Sequence, residues 1–170
     1  MSEGKLHLYC GDGKGKTTAA MGLALRALGA GRRVVIVQFL KGQESGEIVP
    51  LRRLGAKIFR GEAGQKFVFA MNEAEKAECR RQQTALLRAA LDCPADLLVL
   101  DEACAVCSLD MIDLTLLQDA VLRRPDAQEL VLTGRGPAQW MQDAADYLTE
   151  MRCVRHPYEK GLPARRGVEY

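Results

Sequence analysis

The sequence predicts an α/β fold in which a parallel sheet is flanked by helices. Short β-rich segments recur along the chain, and helical patterns separate most of them. This alternation indicates parallel pairing, because each helix carries the chain back across the sheet to start the next strand. Two segments, 34–37 and 97–100, are apolar at every position, which is typical of central strands covered by helices on both faces.

The individual elements follow from local signals in chain order. Strands are predicted over residues 6–10, 34–40, 57–59, 97–100 and 129–133. Helices are predicted over residues 19–28, from about 72 to the residue before Pro94, and from about 113 to 124. Glycines end the first helix, acidic residues fill the first turn of the second, and Pro125 closes the third. Ligands of open parallel sheets bind beyond the carboxyl ends of the strands, so the residues after each strand are the functional candidates.

The length and composition fit one domain that spans residues 1–170. A chain of 170 residues, of which 48% are hydrophobic, can bury one core and is too short for two ordinary domains. The net charge of +2 gives no reason to expect a nucleic-acid or membrane partner. No apolar run approaches the roughly 20 residues of a membrane helix, and the N-terminus lacks a signal-peptide core. We therefore expect a cytoplasmic protein.

The six cysteines are expected to be free thiols, because a cytoplasmic nucleotide binder keeps them reduced. Cys104 and Cys107 have the spacing of a metal-binding pair, but no second pair accompanies them. Packing of both thiols on a helix face is the favoured interpretation.

A glycine-rich segment lies between the first predicted strand and the first predicted helix. It reads Gly11-Asp12-Gly13-Lys14-Gly15-Lys16-Thr17-Thr18. In this position backbone N–H groups and the positive end of the helix dipole point at one anion, and a lysine adds a mobile charge. The segment is one residue shorter than the pattern G-x-x-x-x-G-K-[ST], yet its strand-to-helix context is that of a P-loop. It predicts a P-loop (RecA-like) fold that binds a nucleoside triphosphate.

The residues of this glycine loop are predicted to have different tasks. Lys16 should reach the phosphates, and the Thr17 hydroxyl should lie on Mg²⁺. Thr18 either binds the nucleotide or faces the first helical turn, and Lys14 either binds phosphate or is a solvated loop charge.

Two carboxylates follow the apolar strand that ends at residue 100. The segment has the form of a Walker B strand, whose aspartate holds Mg²⁺ directly or through water. Asp101 is therefore the predicted metal-associated residue, with capping of the next helix as the alternative. Glu102 either activates a water for hydrolysis or orients a ribose or the waters of the metal.

Two basic residues also follow predicted strands. Arg135 can bind phosphate oxygens, because a guanidinium offers a planar fork of donors. Lys41 is a similar candidate, and either residue is alternatively a solvated surface charge. The position of Arg135 directly after Thr133-Gly134 ranks it above Lys41.

Phe67 and Phe69 are two of the few aromatic residues, and they lie among polar neighbours before the long helix. A spacing of two turns both rings to the same side if the segment is extended. Packing of one or both rings under the loop is the favoured interpretation without further information, and a planar apolar ligand is the alternative.

The tail from His156 to Tyr170 is punctuated by proline and glycine and combines aromatic residues with arginines. It is either a disordered basic end or a segment that closes over an anion site.

The motifs occur in one order along nearly the whole chain. They are Gly11 to Ala20, Val37 to Gly42, Leu100 to Glu102, Leu132 to Arg135, Thr149 to Met151, His156 to Tyr158, and Gly167 to Tyr170. Together they resemble the ATP:corrinoid adenosyltransferases of the cobalamin-salvage and biosynthesis type. The short glycine loop is similar to that family's own variant.

The resemblance implies that the 5′-deoxyadenosyl group of ATP is transferred to the Co(I) of a reduced corrinoid, with triphosphate as the leaving group and Mg²⁺ as cofactor. The product would be adenosylcobalamin or an adenosylated precursor. Cobalt(I) would attack the ribose C5′, so the protein aligns the reactants and neutralises charge. Lys16 and Thr17 would stabilise the leaving group, and Asp101 and Glu102 would position Mg²⁺ or the nucleotide.

The resemblance also implies that Phe67 and Phe69 lie beneath the corrin, where they exclude the lower axial ligand. A homodimer and an electron donor such as a reduced flavoprotein are further implications. Some relatives carry an N-terminal segment over the corrinoid site, whereas only ten residues precede the loop here, so we expect the corrinoid to be covered differently.

Three functions are compatible with these motifs. The first is a corrinoid adenosyltransferase, and the second is a P-loop ATPase or kinase in which Glu102 or another carboxylate activates water or a hydroxyl. The third is a nucleotide-gated binding module with little turnover. The products separate them, because adenosyl transfer releases triphosphate and phosphoryl transfer releases ADP.

Overall fold

A sheet of six parallel strands organises the protein in a computed structural model, which describes residues 3–42, 45–61 and 66–169. The strands are β1 (Leu6–Cys10), β2 (Val34–Gln38), β3 (Lys57–Arg60), β4 (Leu97–Asp101), β5 (Glu129–Thr133) and β6 (Tyr147–Glu150). They lie in the order β3-β2-β4-β5-β1-β6, and each neighbouring pair is parallel. The predicted α/β fold is confirmed. Tyr170, the last residue of the tail motif, lies outside the described residues.

All five predicted strands are present, and the differences lie at their ends. β2 stops at Gln38 rather than residue 40, because Leu40 has a left-handed φ of 53° that turns the chain away. β6 is an additional strand at the edge of the sheet. It was not predicted because all four of its residues are exposed, so no apolar alternation marks it.

Six helices connect and cover the strands in the described part of the chain. They are α1 (Lys16–Gly29), α2 (Ile48–Arg53), α3 (Glu73–Leu91), α4 (Ala103–Ser108), α5 (Leu114–Leu122) and α6 (Gln139–Ala144). Short 3₁₀ turns are present at Val68–Ala70 and Pro157–Lys160. None of the helices in the described ranges combines the length and apolar character that a membrane crossing requires.

The predicted start of α3 is confirmed by its N-terminal cap. The Asn72 side chain accepts a hydrogen bond from the Glu75 backbone N–H, and the Glu75 carboxylate accepts one from the Asn72 N–H. This reciprocal capping box satisfies two N–H groups that the helix itself leaves unpaired, and a cap of this kind contributes about 1 kcal/mol.

The hydrophobic core lies on both faces of the sheet. Every residue of β2 and β4 is buried, which confirms the two predicted central strands. In β4, Leu98 and Leu100 pack in the larger cluster with α3 to α6, whereas Leu97 and Val99 pack with α1 and α2. The alternation follows from the two-residue period of a strand, and it leaves only the strand ends available for function.

None of the six cysteines, all of which lie in the described part of the chain, forms a disulfide. Cys104 and Cys107 of α4 both pack against the larger cluster, as the interpretation of packed thiols predicted. Burial raises the pKa of Cys104 to about 12, so this thiol is an inert core residue.

Register brings the predicted site residues to one edge of the sheet. Gln38 of β2 lies opposite Asp101 of β4, and Tyr9 of β1 lies opposite Thr133 of β5. Because all strands are parallel, the glycine loop after β1 projects beyond the same edge as the segments after β2, β4 and β5.

Candidate functional site

The glycine loop turns sharply between β1 and α1. Gly11 and Gly15 have left-handed φ values of 103° and 116°, a region that favours glycine. A Cβ atom on Gly11 would overlap the carbonyl oxygen of Met151, so the loop also needs a glycine there for close approach. α1 begins directly after Gly15, which has no side chain to cap it. The first N–H groups of α1 therefore remain available to an anion.

The segment after β6 holds the glycine loop in place. The Met151 N–H donates to the Cys10 carbonyl at 2.8 Å, and the Gly13 N–H donates to the Met151 carbonyl at 2.7 Å. The Cys153 N–H donates to Asp12 Oδ1 at 3.0 Å and lowers the pKa of that carboxyl. In this structure the Asp12 carboxylate therefore fastens the loop to the end of β6.

The lysines and Thr18 of the loop differ in their surroundings. Lys16 Nζ donates to the Gly13 carbonyl at 2.7 Å, so its ammonium lies across the loop. Burial lowers the pKa of Lys16, and repulsion from Arg135 lowers it further. An anion bound in the loop would counteract both effects, because a nearby negative charge favours the protonated lysine. Lys14 and Thr18 are exposed.

Asp101 is the buried centre of a polar network at the end of β4. Its side chain has no exposed surface. Oδ1 accepts hydrogen bonds from the hydroxyls of Thr17 at 2.9 Å and Thr133 at 2.6 Å. Oδ2 accepts from Lys41 Nζ at 2.7 Å and from Gln38 Nε2 at 3.3 Å. The carboxylate is thus fixed by four partners, which come from the glycine loop, the end of β5, the loop after β2 and β2 itself.

Glu102 follows in a constrained backbone conformation. Its φ of 63° lies in the left-handed region, which is unfavourable for a residue with a side chain, and its N–H donates to the Thr133 hydroxyl at 2.9 Å. Glu102, not Asp101, is the N-cap residue of α4, and it makes no side-chain cap. The alternative that Asp101 only caps the next helix is therefore wrong.

Three side-chain oxygen atoms that could serve as metal ligands surround one positive charge in this network. Lys41 Nζ lies 2.9 Å from Thr17 Oγ1, 2.7 Å from Asp101 Oδ2 and 3.8 Å from Glu102 Oε1. A hydroxyl and two carboxylates are the hard oxygen ligands that Mg²⁺ prefers. The donor set therefore fits the predicted metal, with the lysine ammonium as the cation that it surrounds here.

The two basic candidates, Lys41 and Arg135, lie in different surroundings. Lys41 lies at the centre of the network, whereas Arg135 is exposed and lines an open cleft of about 580 Å³ with Gly11 and Asp12.

Gln38 and Thr133 were not assigned as site residues from the sequence. Their signal is a polar residue at the last position of a strand, directly after at least three apolar residues, and both are fully buried.

The phenylalanine pair is exposed. The rings of Phe67 and Phe69 stack with centroids 5.4 Å apart and planes 9° from parallel, and the residues are 73% and 87% exposed. The favoured interpretation that these rings pack under the loop is wrong, because Val68 between them makes the core contact. The rings lie on one side, as their spacing predicted, although the segment forms a 3₁₀ turn.

The tail lies against the glycine loop. A cavity of about 370 Å³ is lined by Lys14 together with tail residues that include His156, Tyr158 and Arg165. Of the two interpretations of the tail, this placement favours the segment that closes over an anion site.

Comparison with known proteins agrees with this arrangement. The family model described as ATP:corrinoid adenosyltransferase BtuR/CobO/CobP matches residues 2–170. A corrinoid adenosyltransferase of Escherichia coli is 34% identical over 168 residues, which are 98% of this chain and 86% of the relative. That of Pseudomonas aeruginosa is 36% identical over 98% of this chain and 84% of its own length. Corrinoid adenosyltransferase CobA of Salmonella typhimurium is 35% identical over 98% and 86%. This chain therefore belongs to the ATP:corrinoid adenosyltransferase family, as its motifs had indicated.

Proposed function

We propose that this protein transfers the 5′-deoxyadenosyl group of ATP to the Co(I) of a reduced corrinoid and releases triphosphate. The observation that carries the corrinoid half of this proposal is the exposed phenylalanine pair. Two stacked rings that leave most of their surface in water are unfavourable in a free protein, and they offer a flat apolar platform to a macrocycle. The pair lies just before α3, which carries the chain back to the start of β4, so the pair lies beyond the same edge of the sheet as the phosphate site.

ATP would bind with its triphosphate in the glycine loop. The unpaired N–H groups at the start of α1 and the Lys16 ammonium supply positive ends to the phosphate oxygens. Arg135 lies near enough to Lys16 to lower its pKa, so both cations would serve one polyanion. Lys14 and Thr18 would contribute from the exposed rim of the same loop.

Mg²⁺ would be held by Thr17, Asp101 and Glu102. These are the three donors that surround the Lys41 ammonium. When bound, the ion would supply positive charge to the leaving triphosphate.

The proposed transfer needs charge neutralisation but no proton transfer from the protein. An electron pair of Co(I) forms the bond to C5′ of the ribose while the C5′–O bond breaks, and the bonding pair leaves with the triphosphate. Lys16 and Arg135 would stabilise the charge that develops on the leaving oxygen. Glu102, placed beside the cation position, would then orient the metal or the nucleotide and would not act as a general base.

Several partners belong to the same proposal. Cobalt(II) must gain one electron before it can attack, so an electron donor such as a reduced flavoprotein is required. We propose a homodimer as the assembled form, on family resemblance. The cytoplasm would keep the six unpaired thiols reduced.

An anaerobic assay tests the corrinoid half of the proposal. The protein is incubated with Mg-ATP, hydroxocobalamin and a strong reductant, and the corrinoid spectrum is followed. We expect a light-sensitive adenosylcobalamin spectrum to appear in proportion to enzyme. Consumption of ATP with an unchanged corrinoid spectrum would instead favour the ATPase or kinase.

Replacing either phenylalanine by alanine separates the corrinoid face from the ATP site. Phe67→Ala and Phe69→Ala should keep the parent's affinity for ATP, because neither ring belongs to the glycine loop. Turnover from cobalt(II) starting material should fall by about five- to thirtyfold, since the loss of one stacked ring removes about 1–2 kcal/mol of apolar and aromatic contact. The readout is adenosylcobalamin formation under limiting reductant, with ATP affinity measured by calorimetry. If both variants adenosylate as fast as the parent, the proposed role of the pair is wrong.

A further inference from the structure

Lys41 occupies the position in the site that a metal ion would need. Its ammonium contacts the Thr17 hydroxyl and the Asp101 carboxylate within 2.9 Å and lies 3.8 Å from Glu102. We propose that Lys41 is a built-in counter-cation that holds these carboxylates until the nucleotide arrives, and that the lysine and the metal exclude each other. The inference rests on the proposed function for the identity of the metal site.

The turn that carries Lys41 is held in an unfavourable backbone conformation by hydrogen bonds. This distinguishes the contact between Lys41 and Asp101 from a chance surface ion pair. Leu40 adopts a left-handed φ of 53°, an unfavourable conformation for a branched side chain. The buried Gln83 of α3 accepts a hydrogen bond from the Leu40 N–H at 3.0 Å. The Phe39 N–H donates to the Asp101 carbonyl at 3.0 Å. Leu40, fixed by its own hydrogen bond and by that of the preceding residue, thus directs the lysine towards Asp101.

The metal and the ammonium cannot share the site. Mg²⁺ binds oxygen at about 2.0–2.1 Å, so an ion bound to Thr17 Oγ1 and Asp101 Oδ2 would overlap the position of Lys41 Nζ. Their charges would also repel each other strongly at such a separation. The entry of a metal therefore requires Lys41 to move.

The side chain of Lys41 is able to make that movement. It is 30% exposed, and its charge lies at the end of a flexible four-carbon stem. A triphosphate in the adjoining glycine loop offers it new anionic partners. Nucleotide and metal should consequently bind with positive coupling, because the nucleotide draws away the cation that competes with the metal.

Metal titration of the nucleotide-free protein tests this competition. Mn²⁺ takes the same oxygen ligands as Mg²⁺, and its binding is followed by the loss of the free-ion electron paramagnetic resonance signal. We expect Lys41→Met to bind Mn²⁺ about tenfold more tightly than the parent, because the competing charge is gone. Lys76→Met is the matched control, since it removes the same charge from an ion pair with Glu73 on α3, and its Mn²⁺ affinity should equal the parent's.

An equal or weaker affinity of Lys41→Met for Mn²⁺ would overturn the proposal. Lys41→Gln provides a second neutral variant if the methionine protein does not fold. As an independent readout, Mn²⁺ should raise the melting temperature of either neutral variant by more than it raises that of the parent. If Lys41 had only a structural role, its replacement would not tighten the binding of Mn²⁺. No ATP or corrinoid is present, so failure of the proposed adenosyl transfer would leave this result unaffected.

Discussion

We expect the Lys16→Ala variant to lose nearly all adenosyl transfer from ATP, whichever corrinoid is the acceptor. The variant lacks the ammonium that lies across the glycine loop, and the leaving triphosphate loses a preorganised positive charge. A single charged donor of this kind contributes about 10²–10³-fold to the rate, so we expect turnover to fall by about 10³-fold. The measurement is the initial rate of adenosylcobalamin formation at saturating Mg-ATP.

The fold should survive this change. Burial lowers the pKa of Lys16, so the empty protein gains little from its charge, and alanine is a favourable helix residue. We expect the free energy of unfolding to change by less than about 1 kcal/mol. Lys57→Ala, which removes an exposed lysine at the start of β3, serves as the control and should retain full turnover. Comparable rates for Lys16→Ala and Lys57→Ala would exclude a role for Lys16 in catalysis.

Asp101→Asn is expected to impair both turnover and stability. The amide keeps one acceptor for the hydroxyls of Thr17 and Thr133, but it places an N–H₂ group against the Lys41 ammonium, where two donors face each other. We expect about 10²–10³-fold slower turnover, because the site loses a charged metal ligand, and a destabilisation of about 1–3 kcal/mol from the mispaired buried group. Steady-state rates and urea unfolding measure the two effects.

Asp119→Asn is a suitable control for Asp101→Asn. It makes the same chemical change in an exposed ion pair with Arg123 on α5, and it should alter neither quantity. An Asp101→Asn protein that turns over within a factor of about three of the parent, at equal Mg²⁺ affinity, would contradict the assignment of Asp101 to the metal.

The fold could be predicted wherever a segment carries its own signal. β2 and β4 are recognisable because helices cover both of their faces, so every position is apolar. β6 has no such signal, since pairing with β1 and not burial defines it. The helices α2, α4 and α6 contain six residues each, which is too short for a helical period to emerge.

The site could be predicted only in part, because only some of its residues belong to a local sequence motif. The glycine loop is a local motif, so its eight residues could be identified together. The importance of Lys41 depends on Asp101, which lies 60 positions away and reaches it through the register of β2 and β4. The role of Asp12 depends on Cys153, 141 positions away. Such contacts arise from the sheet as a whole and leave no local signal.

The phenylalanine pair shows a different limit. Hydrophobicity by itself favours burial, and the sequence around Phe67 contains nothing that overrides this expectation. The 3₁₀ turn at Val68–Ala70 decides the outcome, because it directs Val68 to the core and both rings to the surface. The exposure of these rings therefore follows from the turn and not from the local hydrophobic pattern.

The phosphate product formed together with the adenosylated corrinoid tests the central claim most directly. In a single anaerobic reaction with reduced cobalamin, ³¹P nuclear magnetic resonance would identify the product while the corrinoid spectrum counts the cobalt–carbon bonds. We expect inorganic triphosphate in a one-to-one ratio with adenosylcobalamin, because attack at C5′ leaves all three phosphates joined. ADP as the product, without a cobalt–carbon bond, would contradict adenosyl transfer and assign the site to phosphoryl transfer.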